Sequence, residues 1–393
     1  MEIPSEFDEI RPFEPEELPA AFEKLAADPE FKAVATAVLP ASDWDDLVKQ
    51  MKACKTNLDF QKTFFYPYVG RLVEEHAKCL VLDNADVLDK SKRYTFISNH
   101  RDIVTDPAYL SRLLLENGFP TTCEIAIGDN LLIRPWITIL VKLCKAFSVQ
   151  RGISMREILA SSQRMSRYMH FVINEKHDNV WIAQREGRAK DSNDHTQDSI
   201  LKMMTMAGEG SLVDRLKDLN IVPLTISYEF DPCDYLKAEE FQLKRDNPEY
   251  KKTREDDYLN MKTGITGNKG HIHFHVAPCI NEWLDTLDPN MPKKEFFEKV
   301  AEHIDTEIFK GYTIYPSNEI SADMLDDSTE GGFHVGEMNE FEAYLQKQLD
   351  KIDIPNKDIP FLRRQILTMY ANPYLNYCKA WNKPLWVKAE DIV

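Results

Sequence analysis

His100 and Asp106 are the first residues whose types and spacing suggest chemistry. They sit in Ser98-Asn99-His100-Arg101-Asp102, followed shortly by Asp106-Pro107-Ala108. A carboxylate that orients an imidazole and stabilises its cation makes the other ring nitrogen a general base for a hydroxyl. The plainer reading is structural: Asp106 before Pro107 is a good N-cap and N1 pair, and His100 is a loop histidine. Asp102 is the rival partner for His100, although two residues is a short reach.

The second set is cationic. Between Arg134 and Lys190 the chain carries 11 Lys/Arg against four Asp/Glu, an excess of +7 in a chain whose net charge is −17. Part of this is the solvated face of a helix expected over 154–175. Arg151, however, follows the apolar run 146–149. Arg188 and Lys190 follow the run 180–183, in a tight turn with Glu186 and Gly187. Cations at the ends of adjacent strands converge on an anion, and the arginine fork suits a phosphate.

These residues need a scaffold. From residue 93 onward, short β-prone runs (94–98, 123–127, 146–149, 180–183, 221–227, 271–276) alternate mostly with segments of helical spacing. That pattern predicts an α/β domain with a mixed, largely parallel sheet flanked by helices, whose strand C-termini gather the site. Residues 1–85 show helical spacing over 15–25, 43–52 and 64–80 and no strand run, and read as a small helical N-terminal unit. Residues 86–393 read as the α/β domain with a C-terminal helical extension. The charged run 237–257 reads as a surface insertion or exposed helix, and 323–332 as a loop.

Composition narrows the function classes. Hydrophobic residues make up 43% and charged residues 29% of 393, enough for a core. With Lys+Arg 48 against Asp+Glu 65, the chain is a poor general binder of nucleic acid. Seven scattered Cys show neither disulfide nor zinc spacing, which predicts free thiols and no metal. His271, His273 and His275 alternate on one strand face and are read as an exposed hairpin after the turn at 267–270. The acidic, proline-spaced start lacks the pattern of a signal peptide. The most apolar stretch, 131–149, is interrupted by Arg134, Lys142 and Lys145, so no span is expected. A cytoplasmic protein is expected, with contact at a membrane surface left open. There is no GxSxG elbow and no GxxxxGK[ST] loop.

Four blocks in order resemble the glycerolipid acyltransferases, and among them the soluble glycerol-3-phosphate acyltransferases of the plastid type. They are Ser98-Asn99-His100 with Asp106-Pro107-Ala108, Gly128-Asp129 with Arg151, Trp181-Ile182-Ala183 with Gly187-Arg188-Ala189-Lys190, and Val222-Pro223-Leu224. The likeness spans roughly residues 90–230. Family members place four residues between His and Asp. Here Thr105 holds that place and Asp106 comes one later, as after a one-residue insertion in the turn. The third block reads Glu186-Gly187-Arg188 where membrane-bound members have Glu-Gly-Thr-Arg.

The resemblance implies transfer of a fatty acyl group from acyl-CoA or acyl-ACP to the 1-position of glycerol 3-phosphate, without an acyl-enzyme and without a cofactor. His100 would be the base and Asp106 its partner. Arg151, Glu186, Gly187, Arg188 and Lys190 would form the acceptor site. The apolar residues of 131–143 would line an acyl channel or face a membrane. A lysophosphatidate, other lysolipid or amine acceptor is the alternative within the enzyme class. A non-catalytic acyl-thioester binding protein is the alternative outside it.

Overall fold

A computed structural model describes residues 3–38, 43–150, 155–325 and 335–383. Among them seven strands form one sheet: β1 (Ala77–Asp83), β2 (Thr95–Ser98), β3 (Cys123–Gly128), β4 (Ala146–Val149), β5 (Asn179–Ala183), β6 (Ile221–Tyr228) and β7 (Gly270–Val276). Their order across the sheet is β1-β7-β6-β2-β5-β3-β4. β6, β2, β5, β3 and β4 run parallel, while β7 is antiparallel to β6 and parallel to β1. The expected α/β architecture with a mixed, largely parallel sheet is present.

Every residue of β2 and β6 is buried, because both sheet faces are covered. One face packs on helices Met155–Asn174 and Lys293–Lys310 through Tyr168, Val172, Ile304 and Ile308. The other packs on helices Tyr66–His76 and Thr105–Glu116 through Val69, Tyr109 and Leu113. Ser98 pairs in register with Ala183 on one side and Leu224 on the other. The residues just past these strands therefore arrive at one end of the sheet, where the first and third sequence blocks meet.

Several expectations are corrected. The helix read over 64–80 stops at His76, and Ala77–Asp83 is the edge strand β1. The sheet thus begins inside residues 1–85, where the local spacing shows no strand. Its partner β7 lies far away in sequence, so local spacing could not reveal the pairing. The run 237–257 divides: residues 244–257 are largely exposed, as expected, but its start is not. Helix Asp234–Asp246 buries Lys237, Glu240 and Gln242, and their polar groups are satisfied within the protein by Asp231, Lys190 and the Asn356 carbonyl. Residues 323–325 end the helix Pro316–Leu325, and the rest of 323–332 lies outside the described residues. β7 sits between β1 and β6 rather than in a hairpin. Its histidines are partly buried, with His271 Nδ1 2.7 Å from Glu229 Oε2 and His273 Nδ1 3.3 Å from Asp83 Oδ2. Among the described residues no group of three or more His, Cys, Asp or Glu could hold a metal ion.

The N-terminal segment answers part of the basic excess. Its acids pair with the long helix and the turn after it: Glu6 with Arg167, Glu9 with Arg164 at 2.8 Å, and Glu14 with Lys176 at 2.8 Å. Ser148 N donates to the Ile10 carbonyl at 2.9 Å, which covers the edge of β4. Helices Leu18–Ala27, Pro29–Val38 and Trp44–Ala53 share a core with Leu143, Trp136, Ile139 and Leu140. Much of the apolar face of helix Pro135–Leu143 is therefore spent on that contact.

Candidate active site

The end of β2 is fixed before any catalytic group appears. Asn99 is fully buried: its amide donates to the Ile226 carbonyl at 2.9 Å and accepts from Ile226 N at 2.8 Å. Ser98 Oγ accepts from the Trp181 indole at 3.0 Å and donates to the Asn99 carbonyl at 2.7 Å. These bonds lock the turn to β5 and β6. The Trp181 ring then meets the His100 ring edge-on, with centroids 5.4 Å apart.

His100 Nδ1 lies 2.7 Å from Asp106 Oδ2. The same oxygen accepts from Arg101 N at 2.7 Å and Asp102 N at 3.0 Å. The other oxygen accepts from the Tyr228 hydroxyl at 2.8 Å. Asp106 is wholly buried. A buried carboxylate with four donors is held as an anion, so Nδ1 carries the proton and Nε2 keeps its lone pair.

Asp102 does something else. Its Oδ1 accepts from Val104 N at 3.0 Å, Thr105 N at 2.7 Å and Thr105 Oγ1 at 2.8 Å. It therefore closes the turn that starts helix Thr105–Glu116, the capping work that the sequence suggested for Asp106. Asp106 falls inside the first turn and points inward.

The residue beside His100 ties this end to distant parts of the chain. Arg101 Nη2 lies 2.7 Å from Asp194 Oδ2, and the Tyr312 hydroxyl donates to that carboxylate at 2.8 Å. Lys237 pairs with Asp231 and reaches the Arg101 carbonyl at 3.4 Å.

The anion turn follows β5. Gly187 has φ +69°, a left-handed conformation that a side chain would strain, which explains the glycine in an otherwise charged turn. Glu186 N donates to Gln197 Oε1 at 2.8 Å. Arg188 Nη2 donates to Asn260 Oδ1 at 2.9 Å, and its buried Nη1 has no hydrogen-bond partner among the described residues. Asn260 is neutral, and the nearby carboxylates Asp102 and Asp231, which favour the charge of Arg188, act through space. Lys190 pairs with Glu240, with Lys244 on the same carboxylate. Burial, opposed by Glu240, pushes the Lys190 ammonium down to about 8. Arg151 lies outside the described residues.

Of the residues singled out in the sequence, then, His100 and Asp106 come into contact. Arg188 lies in the field of Asp102 and Asp231. Lys190 turns to helix Asp234–Asp246. Sequence reasoning missed Tyr228, although it ends the strand that carries the fourth block. It also missed Asp194, Tyr312, Asn260 and Glu240, which meet Arg101, Arg188 and Lys190 across 50 or more residues of sequence.

Residues 79–227 match the family model described as Acyltransferase, a segment running from β1 to β6. No curated protein matches the chain. Among solved structures, the crystal structure of the 1-acyl-sn-glycerophosphate (LPA) acyltransferase PlsC from Thermotoga maritima aligns at a TM-score of 0.35 and 11% identity, covering 73% of this chain and 92% of that one.

Proposed function

We propose that this protein is a glycerolipid O-acyltransferase that moves a fatty acyl group from a thioester donor, acyl-CoA or acyl-ACP, to the 1-hydroxyl of glycerol 3-phosphate. The observation that carries the reading is the 2.7 Å contact between His100 and a fully buried Asp106 at the end of β2, inside the segment that matches the Acyltransferase family. Nε2 of His100 takes the hydroxyl proton as the acceptor oxygen attacks the thioester carbon. The C–S bond breaks, and the imidazolium returns the proton to the departing thiolate. Asp106 stays ionised throughout and stabilises the imidazolium.

Arg188 holds the acceptor phosphate, with Arg151, Lys190 and the backbone of Glu186 and Gly187 completing the site. This binding sets the hydroxyl at roughly 3–3.5 Å from the carbonyl carbon. The protein works in the cytoplasm, peripheral to the inner face of a membrane. Among the described residues no helix is long and apolar enough to cross one.

The test is thiol release from palmitoyl-CoA and palmitoyl-ACP with glycerol 3-phosphate, lysophosphatidate, an amine, or no acceptor. Release that depends on glycerol 3-phosphate is the expected result. Release with lysophosphatidate or an amine alone moves the reading to that acceptor, and thioester binding without turnover under every condition overturns it.

Two further outcomes follow from the anion turn. Arg188→Ala raises the acceptor KM by about 10–100-fold with a smaller change in kcat, because phosphate binding is shared by ground and transition states. The acceptor KM also climbs as pH rises through about 8, where Lys190 loses its proton. Lys190→Arg removes that climb, since a guanidinium stays charged. Steady-state kinetics from pH 6.5 to 9.5 measure both.

A further inference from the structure

We infer that Tyr228 is a positioning residue for the His100–Asp106 pair, setting the pH at which the pair becomes an active base; this rests on the general-base reading above. The Tyr228 hydroxyl donates to Asp106 Oδ1 at 2.8 Å, while the bonds to this carboxylate from His100, Arg101 N and Asp102 N all fall on Oδ2. Thr105 Oγ1 lies 3.0 Å behind the phenol oxygen and 2.8 Å from Asp102 Oδ1. Tyr228 ends β6, so the strand whose Ile226 locks the β2 turn also supplies the donor. Burial, and then the Asp106 charge, push its phenol well above the ordinary tyrosine range, so it remains a donor at every working pH.

The sign follows from charge. With His100 neutral the pair is net negative; with His100 protonated it is net neutral. A donor on the carboxylate stabilises the net-negative form more, and so favours the active base. Removing the hydroxyl shifts the balance toward the protonated pair, and the acid limb of the kcat/KM profile moves to higher pH.

Other charged and titratable groups surround the pair. Arg101 and Asp102 lie on the same turn, and Tyr109 on the helix Thr105–Glu116. Asp231 and Lys237 lie at the helix Asp234–Asp246, Arg188 after β5, and Lys269 before β7. None of these groups hydrogen-bonds Oδ1, which among the described residues accepts from Tyr228, so Tyr228→Phe isolates the hydroxyl. Phenylalanine keeps the ring packed on Tyr109, 6.4 Å away between centroids.

The experiment is the pH–rate profile of acceptor-dependent thiol release from palmitoyl-CoA for wild type, Tyr228→Phe and His100→Ala. It is paired with 3,5-difluorotyrosine placed at position 228, which keeps the shape and strengthens the donor. Tyr228→Phe should move the acid limb up by about one pH unit, and the fluorinated residue should move it down. Limbs that superimpose on wild type, with His100→Ala inactive, overturn the role of Tyr228 alone. An active His100→Ala overturns the base reading and this inference with it. Should Tyr228→Phe fail to fold, the fluorinated protein decides by itself, because a purely structural tyrosine would leave its limb in place.

Discussion

His100→Ala is expected to cost 10²–10⁴-fold or more in kcat for acceptor-dependent thiol release, the range that a positioned general base contributes. The protein should stay folded. Removing the ring takes one donor from Asp106, but the carboxylate keeps Arg101 N, Asp102 N and the Tyr228 hydroxyl. A buried anion with three remaining donors does not carry the heavy penalty of an isolated charge. Thermal denaturation should therefore change little while turnover collapses. Wild-type turnover in His100→Ala with a working acceptor would end the mechanism proposed above.

The same assay separates the two aspartates. Asp106→Asn preserves size and most hydrogen bonds but removes the charge that stabilises the imidazolium, so its loss should approach that of His100→Ala. Asp102→Asn keeps an amide oxygen where Oδ1 now accepts from Val104 N, Thr105 N and Thr105 Oγ1. Its loss should stay below about tenfold. The reverse ranking would show that the pairing seen here is not the functional one.

These two carboxylates also mark how far the sequence could be read. The strand–turn–helix frame was visible, because a buried strand, a polar turn and a Pro-led helix differ in local composition. Which aspartate faces His100 was not, since one residue of register in the turn decides it. That register is set by Asp102 wrapping onto Val104 and Thr105, and by Tyr228 drawing Asp106 inward from another strand. Arg188 could be suspected from its position after β5, but its anchor Asn260 lies 72 residues on. The start of the charge run 237–257 misled for a related reason, although its larger part is exposed. Charge in sequence reads as exposure, whereas Lys237 and Glu240 are buried with partners that only the fold supplies. β1 was lost among helical spacings because its evidence is a strand almost two hundred residues later. Local chemistry was legible; long-range pairing was not.

Gly264→Ala should damage both stability and activity, although it lies far from His100 in sequence. Alanine in place of glycine inside a helix ordinarily stabilises by about 1 kcal/mol. Here the sign reverses. A Cβ on Gly264, in helix Arg254–Thr266, would sit 1.7 Å from Asp102 Oδ2 and 2.7 Å from Asp102 Cγ. Asp102 is 1% exposed and has nowhere open to go. Displacing it breaks the three bonds on its Oδ1 and leaves buried donors without partners, each costing about 1–3 kcal/mol. The net loss should be roughly 3 kcal/mol once the helix gain is subtracted. The turn that shifts also presents Arg101 N and Asp102 N to Asp106. A displacement of about 1 Å there can cost roughly 10²-fold in rate. Gly336→Ala is the control, because a Cβ there, in the first turn of helix Val335–Asp350, meets nothing within 4 Å and should leave the melt unchanged or slightly raised. Thermal melts and thiol release measured on both variants decide the matter. If Gly264→Ala melted as high as Gly336→Ala and turned over normally, the helix Arg254–Thr266 would not be pressed against the catalytic turn, and its part in holding Asp102 would have to be given up.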